Sequence, residues 1–313
     1  MNISNFLNGK NNPSHNELDF INTNTKCDTT LFIDPVLIEL GNTDFCEKAK
    51  KVTKDYFDKL FDVYYDDIKD NQKRYLLKYA QEINSTHLGY ASKNGKGNTE
   101  DGLLEIFEGI EEYVNTIKMT HPLDVVLCVP NFAEDGMSDL LTNVLYKELS
   151  DFTIAQCKKY GYPLTDNTEE RYYWNADSHS WSKYQGSSMI IDGKTFLLVP
   201  KEIVQTHYRF TCDNYLRSVI IENICEYRAV ISRNGDKTRP PKGNVREELL
   251  KKNGTIYQTV INYTKDDDSL LKQYHSIVSQ KYQSLKMNDE EINLTVYGKN
   301  YYNYYLLYLI AKC

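Results

Sequence analysis

Leu123–Tyr160, LDVVLCVPNFAEDGMSDLLTNVLYKELSDFTIAQCKKY, carries the two patterns on which the fold class turns. Its first part, Leu123–Val129, is a short apolar run stopped by Pro130, the pattern of a buried strand. From about Asp135 the apolar positions return at helical spacing. They continue to about Tyr160, where Gly161 and Pro163 end a long helix. One chain using both periods in succession is an α+β protein.

Outward from this stretch the same two periods recur. Upstream, Leu31–Leu40 (LFIDPVLIEL) is an apolar run broken at Asp34-Pro35 and reads as a strand or buried extended segment. From Cys46 to Ile68 the apolar residues fall on one helical face. Gln72 to Ile83 reads as a second helix, Ser85 to Gly97 as a glycine-rich loop, and Leu103 to Ile117 as a third helix. Downstream, residues 164–188 read as a long polar loop packed by Trp174 and Trp181. Met189–Ile191 and Thr195–Val199 flank Asp192-Gly193 as a hairpin. A helix is expected from Asp213 to Tyr227 and a second hairpin over Ala229–Thr238, turning at Asn234-Gly235. Helices at 244–253, 266–286 and 297–311 fill the last third. The expected architecture is α+β, with a small mixed sheet and hairpins surrounded by helices and a mainly helical C-terminal part. It divides into a polar arm (1–26), an α+β core (27–243) and a helical region packed on that core (244–313).

The chain has 313 residues and a formal net charge of −7, which counts against a protein that grips nucleic acid by overall charge. Seven cysteines, at 27, 46, 128, 157, 212, 225 and 313, form no CxxC or CxxH pair. They read as reduced thiols of a cytoplasmic protein, and zinc is not expected. No basic, then apolar leader opens the chain. The longest apolar stretch, near Tyr304–Ala311, is far short of the roughly 20 residues that span a bilayer, so no membrane association is expected.

Within Ala133–Asn143, a helical wheel places Asp135, Thr142, Asn143 and Tyr146 within roughly 60° of Asp139. Met137, Leu140, Leu141, Val144 and Leu145 fall opposite. Two carboxylates, a hydroxyl and an amide on one arc are hard oxygen donors suited to Mg²⁺ or Mn²⁺. A cation there activates water and neutralises a phosphate oxygen. The plainer reading is that Asp135 and Asp139 only serve the helix N-terminus, where acids are favoured. A second element is Thr195–Glu202 (TFLLVPKE), in which Lys201 emerges at the end of a buried strand.

Together these pieces resemble the PD-(D/E)xK nuclease plan. That resemblance implies Asp135 or Asp139 as the acid and Lys201 as the lysine of a metal-dependent nuclease. The sequence departs from the plan at Val199, where an acid is expected, and in placing its acids at a helix start. A third carboxylate has to come from elsewhere, such as Glu105 or Glu108. The strings HLGYASKNGKG, DGMSDLLTNVL and LLVPKEIV are also similar to an uncharacterised bacterial family with D-x-x-S-D-x-x-T-N and L-V-P-K elements. That likeness implies a role in anti-phage or mobile-element systems.

Two basic stretches are candidates for phosphate contacts. One is the glycine-rich loop with Lys93 and Lys96, which departs from a Walker loop in spacing and in having Gly97 where Ser or Thr would bind Mg²⁺. The other runs from Arg228 to Arg246 and includes Arg233, Lys237 and Arg239 against Asp236 alone. His87 and His207 are within reach of the proposed site. The tyrosine stripe from Tyr297 to Tyr308 reads as core or partner interface. The expected function is metal-dependent phosphodiester hydrolysis, with nucleic acid as partner. The alternatives are a non-catalytic subunit that binds a protein partner or forms a homo-oligomer, and a nucleotide-binding sensor built on the glycine loop.

Overall fold

The structure is a computed structural model that describes residues 1–7, 15–65, 70–81, 83–90, 99–108, 121–129, 132, 134–166 and 169–298, together with 114, 117 and 119. It is an α+β arrangement in which helices surround antiparallel sheets of two or three strands.

The chain enters the core at β1 (Phe32–Ile33) and turns at once into α1 (Pro35–Leu40). Asp34 sets that turn. Its Oδ1 accepts the Val36 amide at 2.8 Å, and Pro35 occupies the first helical position, where no amide is needed. The extended reading of Leu31–Leu40 therefore holds for two residues only, because Asp-Pro acts as a helix start rather than a strand break.

Helix α2 (Asp44–Tyr65) buries Ala49, Val52, Tyr56, Phe57, Leu60, Phe61 and Tyr64, the face its spacing predicts. It is followed by α3 (Asp70–Leu77) and α4 (Glu100–Glu108). The run expected to be a strand at Leu123–Val129 is instead α5 (Asp124–Cys128). Leu123, Val125, Leu127 and Val129 are all at most 3% exposed. A segment buried on every side shows no alternation, so its apolar run cannot distinguish strand from helix. Asp124 fixes the start of α5 by accepting the His121 amide.

The long helix expected from Asp135 to Tyr160 is two helices, α6 (Glu134–Val144) and α7 (Tyr146–Tyr160), broken at Leu145. Residues 164–188 are not a loop. β2 (Thr165–Asp166) joins β5 (Ser187–Ile191) and β6 (Lys194–Phe196) in a three-stranded sheet, while β3 (Tyr172–Asn175) and β4 (Ser180–Lys183) form a hairpin. Trp174 and Trp181 face each other across that hairpin and pack on Tyr56 of α2. Their indole N–H groups donate to Asp55 and to the Leu76 carbonyl. The β5–β6 turn has left-handed backbone at both Asp192 (φ 51°) and Gly193 (φ 78°), as a two-residue hairpin turn requires.

β7 (Val204–Gln205) pairs with β1 and closes the core. Beyond it, α8 (Cys212–Tyr215), a π turn (Leu216–Ile220) and α9 (Ile221–Tyr227) run as one helical segment. The second hairpin, β8 (Val230–Ile231) and β9 (Lys237–Thr238), turns through Asn234-Gly235. Helices α10 (Lys242–Asn253), α11 (Ile256–Asp266), α12 (Ser269–Gln280) and α13 (Asp289–Tyr297) complete the described chain. The helix expected at 297–311 lies outside the described residues apart from its start.

The N-terminal segment packs on the body rather than standing apart. Ile3, Leu7, Leu18 and Phe20 join Cys157, Met189, Ile191 and Phe196 in a second apolar cluster. The described cysteines Cys27, Cys46, Cys157, Cys212 and Cys225 are free thiols. No described helix is long and apolar enough to cross a membrane.

Candidate functional site

Asp34, Glu134, Asp135 and Asp139 are carried by the segments that meet where β1 reaches the start of α6. Ser138 makes that junction: its Oγ accepts the Ile33 amide at 3.0 Å, tying the helix to the strand. On the other side the Asp34 amide donates to the Ile203 carbonyl at 2.8 Å. The Tyr208 hydroxyl sits between the carbonyls of Ile33 and Glu134. Tyr208 is thus the buried centre of the junction, and the charges of four carboxylates bear on it. Burial pushes its pKa well up, and the charges of Asp34, Glu134, Asp139 and Asp135 push it further.

These acids differ in environment. Asp34 is buried, and loss of solvent raises its pKa to about 7. The Val36 and Leu37 amides oppose that rise, and the Glu134 charge adds to it. Asp135 is half-buried, and its pKa is also raised, first by burial and then by the neighbouring charges of Asp28 and Glu134. The Tyr90 amide pulls it back. Asp135 approaches the loop closely because residue 89 is glycine. A Cβ on Gly89 would lie 2.8 Å from Asp135 Oδ1, and the residue has φ 127°. Gly89→Ala is therefore expected to cost about 1–3 kcal/mol, from backbone strain and a carboxylate forced to move. A urea titration measures this, and an unchanged midpoint would show that neither constraint matters.

Two histidines flank the acids. His207 is exposed, with Nδ1 3.8 Å from Glu134 Oε1. His87 is buried, stacked on Phe196, and its Nδ1 lies 3.3 Å from Asp28 Oδ1. Burial lowers its pKa more than Asp28 raises it. Glu134 and Tyr208 also line a cleft of about 210 Å³ walled by Val126, Phe132, Cys212 and Ile256.

The expected site residues separate into three groups. Asp135 and Asp139 belong to the cluster around Tyr208. Lys201 has partners elsewhere: it begins a 3-10 turn after Pro200, and its ammonium donates to the His15 carbonyl at 2.5 Å and to Asp289 of α13 at 2.7 Å. The acids whose charges bear on Asp135 or Tyr208, besides Asp135 and Asp139, are Asp28, Asp34 and Glu134. Glu105 is exposed on α4, and the Glu108 side chain is outside the described residues. The arc expected to display Thr142, Asn143 and Tyr146 is buried. Thr142 bonds the Ser138 carbonyl, Asn143 bonds the carbonyls of Gln81 and Asp139, and Tyr146 is fully covered. The wheel gave their shared direction, but that direction faces another part of the protein.

The basic candidates also divide. Lys93 and Lys96 lie outside the described residues. Lys237 pairs with Glu226, and Arg239 pairs with Glu222 and Glu226. Arg228, Lys242 and Arg246 pair with Glu248, Glu222 and Asp213. The basic stretch is thus largely neutralised by acids of α9 and α10, which a local charge count does not register. Arg233 stands exposed at the hairpin turn.

Among the described residues no group of three His, Cys, Asp or Glu side chains is placed to hold a metal ion. Glu134 and Asp135 stand in the first turn of α6 and Asp139 one turn on, so the start of the helix carries three carboxylates.

No curated protein and no solved structure matches the chain. A family model described as a domain of unknown function, DUF8370, matches residues 11–211. That span takes in Asp28, Asp34, Tyr90, the α6 acids and Tyr208, and stops just before α8. Its match covers well over half the sequence, and the chain belongs to the DUF8370 family.

Proposed function

We propose that the chain is a metal-dependent hydrolase of nuclease type, with its site at the start of α6. The observation that carries this reading is that the Ser138–Ile33 bond and the Tyr208 hydroxyl, bonded to the carbonyls of Ile33 and Glu134, hold the Asp34 turn against the helix start that bears Glu134, Asp135 and Asp139. Grouped acids, two of which (Asp34 and Asp135) have raised pKa values, mark functional sites more often than random surface. They also set the electrostatic requirement. A negatively charged surface repels a phosphodiester unless a cation intervenes, so one or two of Glu134, Asp135 and Asp139 are assigned as the residues that would hold a largely hydrated Mg²⁺ or Mn²⁺. The cation, when bound, supplies charge neutralisation at the phosphate and a more acidic water.

The protein's own groups take the remaining tasks. His207 is placed beside Glu134 and open to solvent, the position of a group that exchanges protons with water. Asp34 acts as a positioning residue, because it holds the β1–α1 turn against Tyr208. Lys93 and Lys96 follow Tyr90 in the chain and are assigned to phosphate contacts. Lys201 stabilises the fold through Asp289 rather than acting in the reaction.

Cleavage assays on single- and double-stranded DNA and RNA with Mg²⁺ or Mn²⁺ test this. Asp135→Asn and Asp139→Asn are expected to lose at least ~100-fold in rate, the scale of several kcal/mol of charge stabilisation. Lys201→Met is expected to cut at the wild-type rate. Absence of metal-stimulated cleavage, or full activity in both Asp variants, would overturn the proposal.

A further inference from the structure

The β8–β9 hairpin stands exposed along both of its strands. Every residue from Val230 to Arg239 is exposed. Val230 is 67% exposed, Ile231 70%, and Tyr227 at its base 91%. Successive residues of a strand point to opposite faces. Val230 and Ile231 therefore present apolar surface on both faces of one strand, the pattern of a strand covered on both sides. Among the described residues the hairpin pairs with no third strand, so both outer edges keep unpaired backbone groups. Two-stranded hairpins of this kind are marginal alone. The hairpin lies beyond the span of the family match and carries none of the residues assigned to the acid site.

Its charges indicate what covers it. Arg228, Lys237, Arg239 and Lys242 are held by Glu248, Glu226 and Glu222 on their own chain. The arm is therefore close to neutral, and two identical arms meet little like-charge repulsion. The turn carries one residue of each sign, Arg233 and Asp236. A surface bearing one cation and one anion beside an apolar strand is self-complementary about a two-fold axis, where each group meets the other's counterpart.

We propose that the β8–β9 arm is a self-association element that pairs with the same arm of a second copy of the chain. The pairing stacks two hairpins face to face about a two-fold axis parallel to the strands, so that β8 lies over β9 of the second copy, the Ile231 face is covered, and Arg233 is set against Asp236 of the partner subunit. No part of it depends on the acid cluster, so it stands or falls separately from the hydrolase reading.

Sedimentation analysis of the full chain over a concentration series tests the inference. A reversible dimer is expected. Ile231→Lys is expected to weaken it at least ~10-fold, as for loss of an apolar anchor, with an unchanged circular dichroism spectrum and, at concentrations where both proteins are monomers, an unchanged melting temperature, because the side chain is exposed in the single chain. Arg233→Asp is expected to weaken the dimer, and Arg233→Asp with Asp236→Arg to restore it. A monomer at every concentration overturns the proposal. So does a dimer that Ile231→Lys leaves unchanged, because that dimer uses another face. Failure of the charge swap to restore association would refute the two-fold pairing at the turn.

Discussion

Asp34→Asn is expected to make the protein more stable than the wild type above pH 7 and equal to it near pH 4. Asp34 has an ordinary pKa of 3.8 and one of about 7 in the fold, raised chiefly by burial. Between those values the folded chain holds a proton that the unfolded chain has released. Stability therefore falls as pH rises through this window. The shift of about three units corresponds to roughly 4 kcal/mol, an order-of-magnitude figure for a fully buried acid. Asparagine keeps an oxygen for the Val36 amide and has no proton to lose. Glu148 has its pKa raised to about 7 by burial and falls in the same window, so the wild type alone does not isolate Asp34. The difference between the two proteins does. Urea unfolding at pH 4.5 and pH 8 measures it. A wild type at least as stable as the variant at pH 8 would show that the amide bonds outweigh burial and that Asp34 is an ordinary ionised cap.

Trp181→Ala is expected to cost about 3–5 kcal/mol, the range for removing a buried aromatic. The ring is 7% exposed and packs against Tyr56, Tyr79 and Trp174. Its N–H donates to the Leu76 carbonyl at 2.9 Å, which ties the β3–β4 hairpin to the end of α3. Trp181→Phe retains most of the packing but leaves that carbonyl without its donor, so a loss of about 1–3 kcal/mol is expected. Thermal or urea unfolding of the pair separates the two contributions. Equal losses for Ala and Phe would mean that the hydrogen bond, rather than the packing, dominates.

The fold class was legible in the sequence where local chemistry decides structure. The apolar spacing of Cys46–Ile68 marks α2, and Asp192-Gly193 and Asn234-Gly235 mark two-residue and longer hairpin turns. It was illegible where burial is complete. Leu123–Val129 has no polar face to betray its period, and it is a helix. Residues 164–188 look polar in sequence, yet two of them, Trp174 and Trp181, anchor a hairpin to the core. Asp34-Pro35 does carry a helix-start signal, and reading it as a strand break also hid Asp34 from the site.

The site was half legible. Asp135 and Asp139 stand out because acids on the polar side of an apolar helix are visible on a wheel. Their companions Asp28, Asp34 and Tyr208 are brought to them by the β1–β7 pairing and the Ser138 link, contacts between residues more than 70 positions apart. Lys201 looked free at a strand end because Asp289, 88 residues later, is invisible to local reading. The ion pairs of Arg228–Arg246 were hidden for the same reason: Glu222 and Glu226 precede the run and fold back on it as the α9 face.

The cation-holding role of the α6 acids is the claim on which the rest depends, and calorimetric titration of Mn²⁺ into the full chain tests it most directly. One bound ion per chain is predicted, at least ~10-fold weaker in Asp135→Asn and unchanged in Glu105→Gln. A titration without heat, or equal affinity in Asp135→Asn, would contradict it.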